Sequence, residues 1–235
     1  MTQIVATLID SMGSDLSVVN AARVSFGKQS EWEVDYDNDM FTGENVLSER
    51  DTKLVRYLAK HKHLSPFGHA FASFHVKAPI FVARQLVKHK FLRWNEVSRR
   101  YVDDEPEFYV PDAWRGKSKD KKQGSSGIVD LEECPFPWVD YGSWGTYTEY
   151  LEICEAGYQS LIAAGVAPEQ ARMVLPQSTM TEFYWSGSLD AFASICVLRL
   201  KDDTQYETRL VAQQIDEVMS GLFPESWKAL VHEVQ

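Results

Sequence analysis

The densest run of chemically useful side chains is Lys88-His89-Lys90, followed after seven residues by Ser98-Arg99-Arg100. Guanidinium groups, a hydroxyl and backbone N–H groups in one short segment can cradle a phosphate. Glu96, just ahead of Ser98, can accept hydrogen bonds from a hydroxyl or an amide. Between Arg84 and Tyr101, Arg84, Lys88, Lys90, Arg93, Arg99 and Arg100 stand against the single acid Glu96, in a chain of formal net charge −10. An acidic protein repels nucleic acid and anionic membrane as a whole, so a local cationic segment points to a small, specific anion. The plain alternative is a solvated helix face. Arg172 and Arg199 each interrupt an apolar run, Ala171–Pro176 and Cys196–Leu200. Each is either a snorkelling surface residue or a cation facing a ligand.

Other chemistries are less supported. Cys154 and Cys196 fall on apolar helical stripes, where burial is the expected role, and Cys134 sits beside two acids that disfavour a thiolate. Three scattered cysteines make neither a disulfide framework nor a zinc ribbon, so a reducing, cytoplasmic compartment is expected. Five of the six histidines lie between His61 and His89, yet no Asp or Glu occurs from Lys60 to Asn95. A metal site from His61, His63, His69 and His75 is conceivable, but hydrogen-bonding histidines in a cleft are the preferred reading, and no metal is assigned. Neither a glycine-rich dinucleotide fingerprint nor a P-loop is present.

The elements that must position these residues follow from periodicity. Gln3 to Asp10 alternates and reads as a strand; Ser48 starts a helix that ends near His61–His63; Ser65–Gly68 is a turn. From His69 to Ala78, alternate residues Ala70, Ala72, Phe74, Val76 and Ala78 share one face of a strand. Pro79 opens a helix predicted to run to about Phe91. Residues 112–137, with the lysine-, serine- and glycine-rich run 116–127, read as a long surface loop. Helices are predicted over 144–164, from Pro168 to Val174, from Ser188 to Leu200, and after a capping box at Thr204–Glu207; Thr181–Trp185 is strand-like. Strands that do not alternate regularly with helices argue for an α+β fold, a mixed or antiparallel sheet flanked by helices in one domain over residues 1–235. The N-terminus lacks the pattern of a secretory leader, and no apolar run approaches the ~20 residues of a membrane span.

At this point the chain resembles the flavin-dependent thymidylate synthases, the ThyX family. The family hallmark, R-H-R then seven residues then S, stands here as Lys88-His89-Lys90 and Ser98. Further matching segments are Asn20–Ser25, Leu64–His69, Phe74–Gln85, Ala171–Pro176 and Leu198-Arg199, in family order from about residue 4 to 222. The resemblance implies a homotetramer with FAD between subunits, acting on dUMP with methylenetetrahydrofolate as carbon donor and NADPH as reductant of the flavin, to give dTMP. It implies that Arg199 lies against the uracil ring as the catalytic cation, with Arg172 a second pyrimidine-nucleotide ligand. Gln85, Ser98, Arg99 and Arg100 match the phosphate and sugar site, Lys88 the dUMP and flavin sites together, and Glu96 the acid near dUMP and flavin. Ser65, His89 and Lys90 match FAD contacts. The triplet departs from the family pattern, since lysine cannot reproduce a bidentate, stacking guanidinium. Two other readings stand beside this one: a flavin-dependent pyrimidine nucleotide hydroxymethylase, and a non-catalytic nucleotide- or nucleic-acid-binding protein.

Overall fold

The computed structural model describes residues 3–36, 43–102, 104–118, 125–129, 136–137 and 144–233. In chain order the elements are β1 (Val5–Met12), α1 (Asp15–Arg23), β2 (Glu33–Tyr36), β3 (Gly43–Val46), α2 (Glu49–Lys60), β4 (Phe71–Pro79), α3 (Ile80–Leu86) and β5 (Leu92–Glu96). They continue as β6 (Trp114–Lys117), β7 (Ser125–Val129), β8 (Phe136–Pro137), β9 (Trp144–Gly145), α4 (Tyr147–Ala163), α5 (Pro168–Ala171), β10 (Met180–Ser188), α6 (Leu189–Arg199), α7 (Tyr206–Leu222) and α8 (Pro224–Trp227). Short 3₁₀ turns cover Val24–Phe26, Ser65–His69 and Arg172–Val174. The α+β expectation holds.

A four-stranded antiparallel sheet in the order β1-β4-β10-β5 is the centre. Period-two alternation sends Ala72, Phe74, Val76 and Ala78 of β4 to one face, where all are buried, with Phe183 and Trp185 of β10 beside them. Phe192 of α6 meets Phe74 and Trp185 edge-on, at ring separations of 5.3 and 5.5 Å. Fully burying one such side chain contributes about 1.5–3 kcal/mol, which is why this face must carry helices. The other face keeps Ser73, His75, Lys77, Glu182 and Ser186. Its polar groups pair across strands: Ser73 Oγ donates to Ser186 Oγ at 2.8 Å, and His75 and Lys77 meet Glu182 at 3.0 and 3.6 Å.

Several sequence expectations need correction. The first strand begins two residues later than read. The helix after Pro79 stops at Leu86 rather than near Phe91, with Val87 as its C-cap; Phe91, with a φ of 68° in the left-handed region, lies at the turn into β5. Beyond the helix the basic segment continues as the edge strand β5, which carries Arg93 and Glu96. The 112–137 region is not wholly loop: β6 and β7 pair as an antiparallel ribbon. The long helix starts at Tyr147, capped by a box between Thr146 and Glu149, not at Trp144. The capping box read at Thr204–Glu207 does not form; Gln205 is the N-cap, and the Thr204 hydroxyl donates instead to Leu198 O at 3.2 Å. Helix α1, with its own box between Ser14 and Ser17, and the β2–β3 ribbon were not anticipated. Cys154 and Cys196 are buried as expected, burial pushing the Cys196 thiol well above its ordinary pKa, while Cys134 lies outside the described residues.

Two buried charges clamp the helical layer. Asp15 accepts from Glu225 N and Ser226 N at 3.0 and 2.9 Å, so the start of α1 caps α8. Asp51 on α2 pairs with Arg23 at the end of α1 and accepts from Ser30 and Ser48. Burial alone would raise the Asp51 carboxyl, but the hydrogen bonds from Arg23, Ser48 and Ser30 and the charge of Arg23 together hold it below its usual value. A carboxylate depressed in the folded state stabilises it above the unfolded pKa of about 3.9 and loses that contribution as pH falls through the folded value. Asp51→Ala strands the Arg23 charge, and denaturant titration at pH 7 should show a loss of about 3–5 kcal/mol. The difference from wild type should shrink below pH ~3.9.

Candidate functional site

Gln85, Glu96 and Arg199 sit at the ends of the central strands or of the helices that continue them, whereas Ser65 and Arg172 lie in short 3₁₀ turns. Arg199 is the last residue of α6, which follows β10 directly. Its half-buried guanidinium donates through Nε to His89 Nε2 at 3.1 Å. That bond requires an unprotonated Nε2, and burial first, then the Arg199 charge, holds the His89 pKa below its ordinary value. The Arg199 pKa is lowered by burial. The two residues form a neutral imidazole that orients a cation, so His89 serves Arg199 within this chain in addition to the flavin-facing role expected of it. Lys88 and Lys90, on either side, are exposed and have no ion-pair partner among the described residues.

Gln85, on α3, reaches toward α7: Nε2 donates to Gln205 Oε1 and, at 3.4 Å, to Phe81 O, while Oε1 accepts from Thr208 at 3.3 Å.

Glu96 ends β5. Thr181 Oγ1 donates to one of its oxygens at 2.8 Å and Trp94 Nε1 to the other at 3.0 Å. Trp94 is itself stacked on Phe183 at 3.6 Å. The carboxylate is thus fixed by a strand neighbour and a packed indole. A turn follows, with Tyr101 N bonded to Ser98 O at 3.0 Å and Arg100 N to Ser98 Oγ at 3.3 Å. Arg99 donates to the Asp104 carbonyl at 2.8 Å, and Arg172 Nε to the Glu169 carbonyl at 3.2 Å. Both guanidinium groups thus use backbone carbonyls and have no carboxylate partner among the described residues, whereas Arg100 lies 3.6 Å from Glu169 Oε2.

Glu96, Arg99 and Arg172 share one cavity of about 720 Å³, which Arg84 and Thr181 also line. Its lining also includes the acids Asp104, Glu105 and Glu107, which directly follow the basic segment, and Glu169 and Glu182 from later in the chain. Ser65 lies elsewhere, in a cavity of about 820 Å³ lined by Arg23, Ser25, Lys28, Arg50, Tyr57 and His63 among others. Within one chain the predicted residues therefore fall into separate groups: His89 with Arg199, Gln85 with Gln205 and Thr208, the 96–100 turn with Arg172, and Ser65. No cavity of those described joins them. Sequence reasoning missed Thr181, which carries no motif, and Gln205 and Glu207, which were read as part of a helix cap.

Comparison with known proteins bears on this arrangement. A family model described as thymidylate synthase complementing protein matches residues 7–225. A flavin-dependent thymidylate synthase of Thermus thermophilus is 37% identical over 222 residues, covering 94% of this chain and 73% of the relative. One from Kosmotoga olearia is 36% identical over 227 residues, covering 96% of this chain and 89% of the relative. Among solved structures, the UMP/dUMP methylase PolB from Streptomyces cacaoi bound with 5-Br dUMP superposes with a TM-score of 0.73 at 31% identity, covering 97% of this chain and 94% of that one.

The His89–Arg199 pair makes a direct prediction. In an NMR titration the His89 ring should protonate below pH ~6.5, and Arg199→Leu should move its midpoint upward. The pair's contribution to stability is present above pH ~6.5 and falls as pH drops from there through the lowered folded value. A His89 midpoint unchanged by Arg199→Leu would show that the two side chains do not interact in solution.

Proposed function

We propose a reaction for this chain from one premise: it belongs to the flavin-dependent thymidylate synthase family, enzymes that are methyltransferases. The reaction is methylation of dUMP to dTMP in the cytoplasm, with methylenetetrahydrofolate as carbon donor and FAD, reduced by NADPH, as hydride source. The observation that carries the reading is the Arg199–His89 contact. A guanidinium held by a neutral acceptor in a partly desolvated position suits charge that develops on a pyrimidine as its C5 becomes nucleophilic. The solved structures of PolB with bromo-substituted UMP and dUMP support a pyrimidine monophosphate as substrate class.

The remaining residues divide the work. Ser98, Arg99, Arg100 and Arg172 offer a hydroxyl, backbone N–H groups and guanidinium charges to phosphate and sugar. Glu96, with one hydrogen bond already on each oxygen, retains acceptor capacity for a sugar hydroxyl or ring N–H. The cavity beside Ser65 fits FAD in its chemistry: Lys28 and Arg50 supply positive charge for a pyrophosphate, and Tyr57 and Phe26 supply apolar and aromatic surface for a ring system. Lys88, His89 and Lys90 would approach the flavin from a second copy, and bound flavin supplies the hydride that converts the transferred carbon to a methyl group. Separation of the predicted residues into groups that no described cavity joins supports sites shared between subunits, as in a homotetramer, each chain spanning residues 1–235 as a single domain.

Purified protein incubated with FAD and desalted should retain a flavin absorption band; a colourless protein, even with dUMP present, would count against the reading. With dUMP, methylenetetrahydrofolate and NADPH, mass spectrometry should show a product heavier by one CH₂ unit. A product heavier by CH₂O would instead indicate a hydroxymethylase. Arg199→Ala should lower turnover by about 10²–10³-fold, the usual effect of deleting a group that stabilises developing charge. Undiminished dTMP formation by that variant would defeat the assignment of Arg199.

A further inference from the structure

Beyond the residues already assigned, a continuous chain of side-chain hydrogen bonds runs into Gln85 from a distant ribbon. Arg115 of β6 pairs with Glu207 Oε1, which also accepts from the Tyr109 hydroxyl at 3.4 Å. The other oxygen, Oε2, accepts from Gln205 Nε2 at 3.2 Å. Gln205 Oε1 then accepts from Gln85 Nε2. Thr208 completes the set by donating to Gln85 Oε1. Glu207 is buried, with its side chain 5% exposed, although it lies in the first turn of α7.

The order of donors and acceptors in this chain is not arbitrary. An amide can be turned end for end with little steric change, so its polarity must be imposed by its partners. A carboxylate paired with arginine only accepts. Gln205 must therefore turn its NH₂ toward Glu207 and its carbonyl toward Gln85. Gln85 must in turn direct its NH₂ toward Gln205. Both of its N–H groups are then used inside the chain, one on Gln205 and one on Phe81 O. What remains for a ligand is the second lone pair of the Gln85 carbonyl.

We infer that Arg115, Glu207 and Gln205 are positioning residues that fix the amide of Gln85 so that it presents an acceptor to the nucleotide. This rests on the reading of Gln85 as a nucleotide contact. It also refines that reading: Gln85 recognises a hydrogen-bond donor, a sugar hydroxyl or the pyrimidine N3–H, and does not serve the phosphate, which has only acceptors when ionised. Gln205 is the link that can be cut while the Arg115–Glu207 contact itself stays in place, because Gln205 is exposed and meets only the other carboxylate oxygen.

The test is a double-mutant cycle on dUMP affinity, measured by calorimetry on FAD-loaded protein. Gln85→Ala and Gln205→Ala should each weaken dUMP by about three- to tenfold, the worth of one hydrogen bond. The double variant should bind no more weakly than Gln85→Ala alone, because Gln205 acts only through Gln85. Equal thermal unfolding midpoints for wild type and Gln205→Ala would exclude a general structural loss, which the cycle also tests independently. Losses that multiply in the double variant, or no loss from Gln205→Ala, would overturn the positioning role while leaving Gln85 a nucleotide contact. No loss from Gln85→Ala, with dUMP still bound, would overturn the nucleotide reading of Gln85 and the relay with it.

Discussion

The register between β4 and β10 is the constraint on which the rest depends. Phe71 pairs with Ser188 at one end and Pro79 with Met180 at the other, without a bulge. A slip of β10 by one residue would turn Phe183 and Trp185 away from Phe74 and Val76 toward the polar face and open the core. The same register delivers the candidate site. β4 runs into α3, which carries Gln85; β10 runs into α6, which ends at Arg199; β5, paired to the other edge of β10, ends at Glu96 opposite Phe183. Three side chains on three different elements are therefore located by the backbone hydrogen bonds of one sheet. Thr181, on the buried face of β10, then reaches Glu96 because that register leaves it one step beyond the Phe183–Glu96 pair.

Electrostatics sorts the charged residues into two kinds. Those within the core are matched by a specific opposite charge or by backbone N–H groups: Asp51 by Arg23, Glu207 by Arg115, Asp15 by the start of α8. An unpaired charge in such places would cost several kcal/mol. Arg99 and Arg172 are satisfied differently, by single backbone carbonyls, and Arg199 by a neutral imidazole. Such partners fix the direction of a guanidinium without cancelling its charge. That distinction separates cations that hold the fold together from cations available to an anion, and composition alone cannot draw it. The locally basic segment ends up beside acids of two origins: Asp104, Glu105 and Glu107 follow it directly in sequence, while Glu169 and Glu182 are brought to it from α5 and β10.

Legibility in the sequence followed the strength of local signals. β4 was readable because its alternation is unbroken over a strand packed on one face only. The helices α2, α6 and α7 were readable from their apolar stripes. β5 was not, because Arg93 and Asn95 occupy its outer face and Trp94 lies between them, so that charge dominated the pattern. The true end of α3 at Leu86 is marked by no glycine or proline in the residues that follow, so nothing local announces it. Ser14 and Ser17 form a capping box without the usual acid, which is why α1 passed unnoticed. As for the site, the ordered segments shared with a known family identified the residues, but not their partners. Neither the His89–Arg199 bond nor the Thr181 support of Glu96 has a spacing that could be read, since both join elements about 85 to 110 residues apart.

Glu207 shows why a correct local rule can fail. Thr204 and Glu207 have the right identities and spacing for a reciprocal cap, which is worth about 1 kcal/mol on an exposed helix. Yet Arg115, carried in on β6, offers the same carboxylate a charge-assisted bond in a partly buried setting. Ionised partners form roughly twice as strong a bond as neutral ones, and leaving either charge unpaired there would be far more costly than losing a cap. The tertiary pairing therefore prevails, the N-cap moves to Gln205, and the Thr204 hydroxyl finds Leu198 O instead. Moving the cap also changes what the helix start can do. Gln205 at the boundary is free to bridge Glu207 and Gln85, and a residue that would have been a neutral position inside the first turn becomes the link between an ion pair and the amide of α3.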